Sequence, residues 1–231
     1  MNLKEKIALL KYHESYEKKF LNLIYKEKKM NYTKNRICFL DTETTSVYWN
    51  SAAPIQIAAL VCDADGNILD GFNERIKTNH TITPGASAVH GIYAKDLKNC
   101  RSEPDVLKDF IAWMDTMKVD VIVTYNGEAF DRPMLNKRIE VFKIDTPYFD
   151  KTRFPGIDCR DTVMWAKKAN LYGLKDLGRK WKLTLVADKL GFSTEDAHDA
   201  LADVRMLKDV FFCLDPQIYP AKWSGGSTSL F

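Results

Sequence analysis

Apolar residues recur along this chain at two spacings, and the change from one to the other marks out its elements. Between residues 3 and 29, Leu9, Tyr12, Tyr16, Phe20 and Leu23 fall three and four apart with Lys and Glu between them. That spacing predicts an amphipathic helix whose stripe docks on the body of the protein or on a partner. The continuous run "RICFL" predicts a buried strand. "IQIAALVCDADGNILDGFNERI" predicts two more, joined by an Asp-Ala-Asp-Gly-Asn turn that signals a hairpin. In "TPGASAVHGI", Pro84 and Gly85 predict a break. "SEPDVLKDFIAWMD" then reads as a helix, with Ser102 as N-cap and Pro104 in the first turn. The β-branched "DVIVTY" predicts a fourth strand, and "EAFDRPMLNKRIEVF" a helix after it despite Pro133 near its start. Residues 145–160, with Pro147, Pro155 and Gly156, predict a loop. "RDTVMWAKKA", "GLKDLGRKWKL" and "DALADVRMLKDVFFCL" predict three further helices.

A hairpin followed by strand–helix alternation implies an α/β fold, a mixed sheet flanked by helices. The 231 residues, 45% of them hydrophobic, suffice for one such domain with appended elements. The expected division is a basic amphipathic helix over residues 1–33, a body over 34–215, and a tail over 216–231 that passes through Gly225-Gly226.

Charge alters this picture at one end. The net charge of +3 conceals ten Lys/Arg against four Glu in residues 1–36, leaving 24 against 27 in the rest. The arm either meets a polyanionic partner or is a solvated helix face. Five scattered cysteines, never spaced as CxxC, point to reduced thiols of a cytosolic-type compartment, and exclude a disulfide frame or zinc site. Charges lace the first thirty residues, and no window approaches about 18 uninterrupted apolar residues, so a soluble intracellular protein is expected.

Candidate chemistry begins where "ICFLDTETTS" turns from apolar to acidic. Asp41 and Glu43 stand at positions i and i+2 of a strand and point to one face if the strand persists. Carboxylates that close repel each other unless a cation intervenes; Mg²⁺, a hard cation, takes such oxygen ligands. A polar strand end satisfied by its threonines is the equal alternative. In "TYNGEAFDRPML", Asn126-Gly127 turns the chain into a helix bearing Asp131, a candidate ligand or simply an acid favoured by the helix dipole. In "EDAHDALADVRML", His198 and Asp203 are five apart around a helix start, where ordinary capping is again the alternative.

Taken together and in this order, Asp41-Thr42-Glu43, Asn126 to Asp131 and His198 to Asp203 resemble the three motifs of the DnaQ-like (DEDDh) 3′-5′ exonuclease superfamily. "AVHGIYAKDL", Ala88 to Leu97, resembles a segment of its proofreading, polymerase III epsilon-like branch. The resemblance spans residues 36 to about 212. It implies an RNase H-like sheet, antiparallel through its first three strands and parallel thereafter. It also implies that Asp41, Glu43, Asp131 and Asp203 hold two Mg²⁺ or Mn²⁺ ions, with Asp41 bridging both. His198 becomes the general base, and the reaction releases nucleoside 5′-monophosphates from the 3′ end of single-stranded DNA, in proofreading or repair. Thr44, Thr45, Asn126, Phe130 and His90 become candidate substrate contacts, with Tyr48 and Trp49 available to stack on bases. Where the family often has Gly shortly after the first motif, this chain has Ser46.

The tail "STSLF", Ser227 to Phe231, resembles short peptides that dock in a bacterial sliding clamp, with Leu230 and Phe231 as anchors and Ser227 in place of the usual Gln. A DNA polymerase is a further expected partner, and the cytoplasm, in association with the nucleoid, the expected location. The competing readings are an exoribonuclease of the oligoribonuclease or RNase T type, and a nuclease-like scaffold that binds nucleic acid without cutting it.

Overall fold

The computed structural model describes residues 35–195 and 197–218. The expected N-terminal helix and the clamp-type peptide with Leu230 and Phe231 lie outside the described residues.

Six strands form one sheet: β1 (Ile37–Thr44), β2 (Pro54–Cys62), β3 (Ile68–Lys77), β4 (Arg101–Ser102), β5 (Val121–Thr124) and β6 (Gly156–Asp158), in the order β4-β3-β2-β1-β5-β6. The pairs β1–β2 and β2–β3 are antiparallel, while β1–β5, β5–β6 and the short β3–β4 are parallel. This is the mixed arrangement expected. Among the described residues, six α-helices accompany it: α1 (Pro84–His90), α2 (Glu103–Met117), α3 (Asp131–Val141), α4 (Cys159–Lys168), α5 (Leu183–Leu190) and α6 (Ala200–Ile218). None of the described helices is long and apolar enough to cross a membrane.

Strand β1 separates two apolar layers because successive side chains alternate across a pleated strand. Cys38 and Leu40 join Phe110 of α2 with Met134 and Leu135 of α3 in the main core. Phe39, facing the other way, meets Phe211 of α6 edge-on, the ring centroids 5.4 Å apart. Helix α3 is fixed further by Arg138, which grips Glu103 at the start of α2 through two hydrogen bonds of 2.6 and 2.8 Å. Arg132, almost wholly buried, donates to the carbonyls of Tyr148 and Phe154 and to Glu128, bracing the loop that precedes β6.

Several local readings of the sequence are corrected. Pro84-Gly85 opens helix α1 instead of breaking the chain. Thr83 Oγ1 accepts the Ala86 N–H, and Pro84 occupies the first turn, where its missing N–H leaves no bond unmade. Ser102 is indeed the N-cap residue, but its hydroxyl donates to the Asp105 carboxylate and accepts no backbone N–H of the helix. "DVIVTY" contributes the fifth strand, since the two-residue β4 is too short to show a period. The segment 145–160 contains β6, which borders the sheet. "GLKDLGRKWKL" is not one helix: a 3₁₀ run, Leu171–Leu177, is followed by a turn and an irregular stretch, and α5 starts only at Leu183. Gly173 and Gly178 both take positive φ there, which an α-helix forbids. Helix α6, read in the sequence as "DALADVRMLKDVFFCL", runs on through Pro216 to Ile218.

Candidate active site

Strand β5 pairs with β1 only as far as Phe39 opposite Val123, so one edge of β1 is left open beyond that point, where Asp41 to Thr44 run. On the Phe39 face, Asp41 and Glu43 meet Asp203 from the first turn of α6. One carboxylate oxygen from each lies within 4.8 Å of the others. Thr42, between them, faces the opposite layer, and its hydroxyl donates to Asp131 at the start of α3. Asp131 is therefore brought beside this triad but not into it.

The turn that delivers Asp131 leaves little room. After β5, Asn126 adopts a left-handed conformation, and its N–H donates to Asp158 at the end of β6. A Cβ on Gly127 would lie 2.5 Å from Thr124 Cβ and 2.7 Å from Asp131 Oδ2, so glycine is required here by close approach. On the other side, Asp199 caps α6 by accepting the N–H groups of Leu201 and Ala202 at 3.0 and 3.3 Å. His198 precedes it in the left-handed region, φ 77°, exposed and with its backbone N–H donating to Asp203 Oδ1 at 3.4 Å. Gln56 of β2 bridges Asn73 and Asp199.

Burial is the first cause of every proton-affinity shift in this cluster. It pushes Asp41 well above the carboxylate range, aided by the charges of Asp131, Glu43, Asp203 and Asp199. Burial with Asp203, Asp131 and Asp199 lifts Glu43 to about 8. Asp131 rises to about 6 although the Thr42 hydrogen bond pulls it down, and Asp203 rises against the opposing His198 N–H. Asp41, Glu43, Asp131 and Asp203 thus crowd a site that holds their full negative charge readily only beside a cation.

The donor set fits a hard divalent ion. The triad offers carboxylate oxygens alone, and two oxygens on opposite sides of one such ion stand roughly 4 to 5 Å apart, the spread found here. Asp41, Glu43 and Asp203 would hold the ion directly, and Asp131 stands where it adds charge or a further ligand.

The expected substrate contacts divide. Thr45 is buried and engaged: its hydroxyl accepts the Ala53 N–H, its N–H donates to Ala53 and its carbonyl accepts from Thr83. Thr44 gives its hydroxyl to the Ser46 carbonyl, so both threonines close the loop after β1. His90 is a brace for that loop. Nδ1 accepts the Ile92 N–H, which leaves Nε2 to donate to the Thr44 carbonyl, and burial lowers its pKa; no ring nitrogen is left for a phosphate. Phe130 is half-buried against the main core. Asn126 is exposed, its side-chain carbonyl held by Arg160. Tyr48 and Trp49 stand out from the loop, 70% and 43% exposed. Ser46 does not take positive φ, and its hydroxyl accepts the Tyr48 N–H at 3.3 Å, so this turn has no need of the glycine common in the family.

Thr42 and Asp199 hold roles that the sequence does not announce. Both stand inside motifs that drew attention to their neighbours, and the only signal available for Asp199 was its fitness as a helix cap.

The family model described as exonuclease, of the RNase T type, matches residues 38–211. The DNA polymerase III PolC-type proteins of Thermotoga petrophila and Thermotoga maritima are each 30% identical to the chain over 175 residues, 74% of its length. That stretch is only 11% of either relative, so the chain spans about a tenth of the proteins it matches. Among solved structures, the zinc-bound E. coli ExoI–ssDNA complex superposes with a TM-score of 0.68 at 20% identity, covering 81% of this chain and 42% of the other. The complex of E. coli exonuclease I with a dA16 oligonucleotide gives 0.69, again at 20% identity, over 83% of this chain and 42% of that one.

Proposed function

The chain belongs to the RNase T family of exonucleases, and from that premise we propose that it removes nucleotides from the 3′ end of single-stranded DNA as 5′-monophosphates. The observation that carries the reading is the meeting of Asp41, Glu43 and Asp203 at the open edge of β1, with Asp131 beside them. Two solved neighbours hold single-stranded DNA or a DNA oligonucleotide, and the curated relatives are DNA polymerases, which favours DNA as substrate.

Divalent ions, Mg²⁺ or Mn²⁺ in a pair, would be held by Asp41, Glu43, Asp203 and Asp131, and when bound they supply Lewis-acid polarisation of the phosphoryl group and a lowered water pKa. A bound cation would favour the ionised form of all four carboxylates, opposing the burial and mutual repulsion that raise their proton affinities. His198, exposed at the rim and tethered to Asp203 through its own N–H, takes the proton of the attacking water. Its backbone is left-handed, and the helix cap is supplied by Asp199, the residue after it. Tyr48 and Trp49 offer exposed rings on which the terminal bases stack.

RNA is the competing substrate, favoured by the family's name. Hydrolysis of matched DNA and RNA single strands and of duplexes with frayed 3′ ends, assayed with Mg²⁺, decides between them. Faster release of mononucleotides from DNA is expected; preference for RNA would reassign the substrate. Loss of activity in Asp41→Asn and His198→Ala is expected, and a wild-type rate in Asp41→Asn would overturn the catalytic assignment. Docking on a sliding clamp through Leu230 and Phe231, as part of a polymerase or repair assembly, is proposed from the tail sequence alone. Clamp binding that survives the double substitution of these two by Ala would exclude it.

A further inference from the structure

The segment from Arg160 to Lys189 reverses the charge of the body. It carries eight Lys/Arg against three Asp, whereas the rest of residues 37–231 carries 16 against 24. Part of this charge is locked into the fold. Lys167 is buried, donates to the carbonyls of Gly178 and Lys180 at 2.7 and 2.9 Å, and lies 4.0 Å from the centre of the Trp181 ring. Arg160 approaches the same ring at 5.9 Å while donating to Asn126. The Trp181 carbonyl accepts the Tyr125 hydroxyl.

These contacts determine where the remaining cations point. Lys180 and Lys182 are exposed on either side of the half-buried Trp181. Trp181 is turned to the body by Lys167 and Arg160, which leaves Lys180 and Lys182 facing solvent, with exposed Arg179 before them. Among the described residues, no carboxylate stands within ion-pair distance of these three. Lys189, in contrast, is paired with Asp176.

The element also has a definite place relative to the acidic site. Tyr125 and Asn126 follow β5, and Arg160 follows β6; both strands run parallel to β1, so their ends lie along the same edge as Asp41. The end of β6 is two strand spacings, about 10 Å, from β1. Open α/β sheets bind ligands at this edge.

We propose that Arg179, Lys180 and Lys182, mounted on Trp181 and joined to the site by Arg160, form a track for the phosphates of the nucleic-acid strand on the 5′ side of the nucleotide being removed. The proposal rests on the nuclease reading above for its direction. An acidic site repels a polyanion, and a row of unpaired cations beside it offsets that repulsion only for substrates long enough to reach it. Short substrates gain nothing from it.

The test compares the full chain with the variant R179Q/K180Q/K182Q, using a thymidine oligonucleotide of about twenty residues and a thymidine dinucleotide. Each phosphate contact on a single strand contributes about −0.7 to the slope of log affinity against log salt, so the variant should lose about 2 from that slope and bind the oligonucleotide at least about tenfold more weakly. Dinucleotide hydrolysis should be unchanged. If the triple variant fails to fold, K180Q and K182Q alone should each remove about 0.7. A folded variant with the wild-type slope overturns the track. Binding is measured in chelator as well as turnover in Mg²⁺. A strand that is bound through these residues but never cut would refute the nuclease reading while upholding the surface; cutting with an unaltered slope would do the reverse.

Discussion

The hydroxyl of Thr42 donates to the carboxylate of Asp131, 89 positions further along the chain and on the opposite layer from Asp41 and Glu43. One strand thereby addresses two groups of acids at once: its odd-numbered side chains face α6 and Asp203, and the residue between them holds the acid of α3. Burial raises the proton affinity of Asp131, and this bond opposes that rise.

Replacement of Thr42 by Val therefore raises the Asp131 pKa from about 6. A hydrogen bond to a charged group contributes roughly 1.5 to 3 kcal/mol, which corresponds to about one to two pH units. Carboxyl ¹³C NMR of the metal-free protein measures it. Thr42→Ser keeps the hydroxyl and should leave the titration near wild type.

The metal-free protein should lose stability as pH rises. Carboxyls whose folded pKa exceeds the unfolded value, roughly 4, bind protons more tightly when folded. Their contribution is full below that value and drains away as pH passes about 6 for Asp131 and about 8 for Glu43. Melting temperatures should thus fall between about pH 5 and about pH 8. Added Mg²⁺ should restore more of the loss at the higher pH, where it replaces the missing protons. A melting temperature flat across this window would contradict the clustering.

Asp41→Asn should separate stability from function. The Asp41 carboxyl must either ionise, buried beside Asp131, Glu43 and Asp203, or hold a proton against a high pH; the amide does neither, so the metal-free melting temperature at about pH 8 should rise. Hydrolysis should fall by at least about a hundredfold, and the stabilisation by Mg²⁺ should shrink with it. Calorimetry with and without metal, beside a nuclease assay, reads both.

Gly127→Ala should damage the site more than the fold. The added Cβ meets Thr124 at 2.5 Å and the Asp131 carboxylate at 2.7 Å, so one of them must move. Overpacking of this kind costs about 1 to 3 kcal/mol, readable by denaturant unfolding. Activity measured well below the midpoint should drop out of proportion, because Asp131 is displaced.

The legible parts of this protein are those that short-range geometry writes into the chain. The run from Ile37 to Thr44 announces a strand, and its period of two is enough to place Asp41 and Glu43 on one face. The helix around Asp203 and the mixed sheet are readable in the same way. Helix α1 is hidden because Pro84-Gly85 has the composition of a turn, and only the cap from Thr83 shows that the proline sits in a first turn. Strand β6 is hidden by its three-residue length, and by a side pairing with β5 that no local pattern records.

Local order along the chain thus dictates which side chains share a face and in what sequence the acidic segments follow one another, since pleat and helical turn are properties of neighbouring residues. It takes long-range packing to join Asp203 to Asp41 and Glu43 while Asp131 stands apart on Thr42, and to commit both nitrogens of His90 to the loop it supports. Those outcomes depend on how α3, α6 and the loop after β1 pack against the sheet, across separations in sequence that no local spacing encodes.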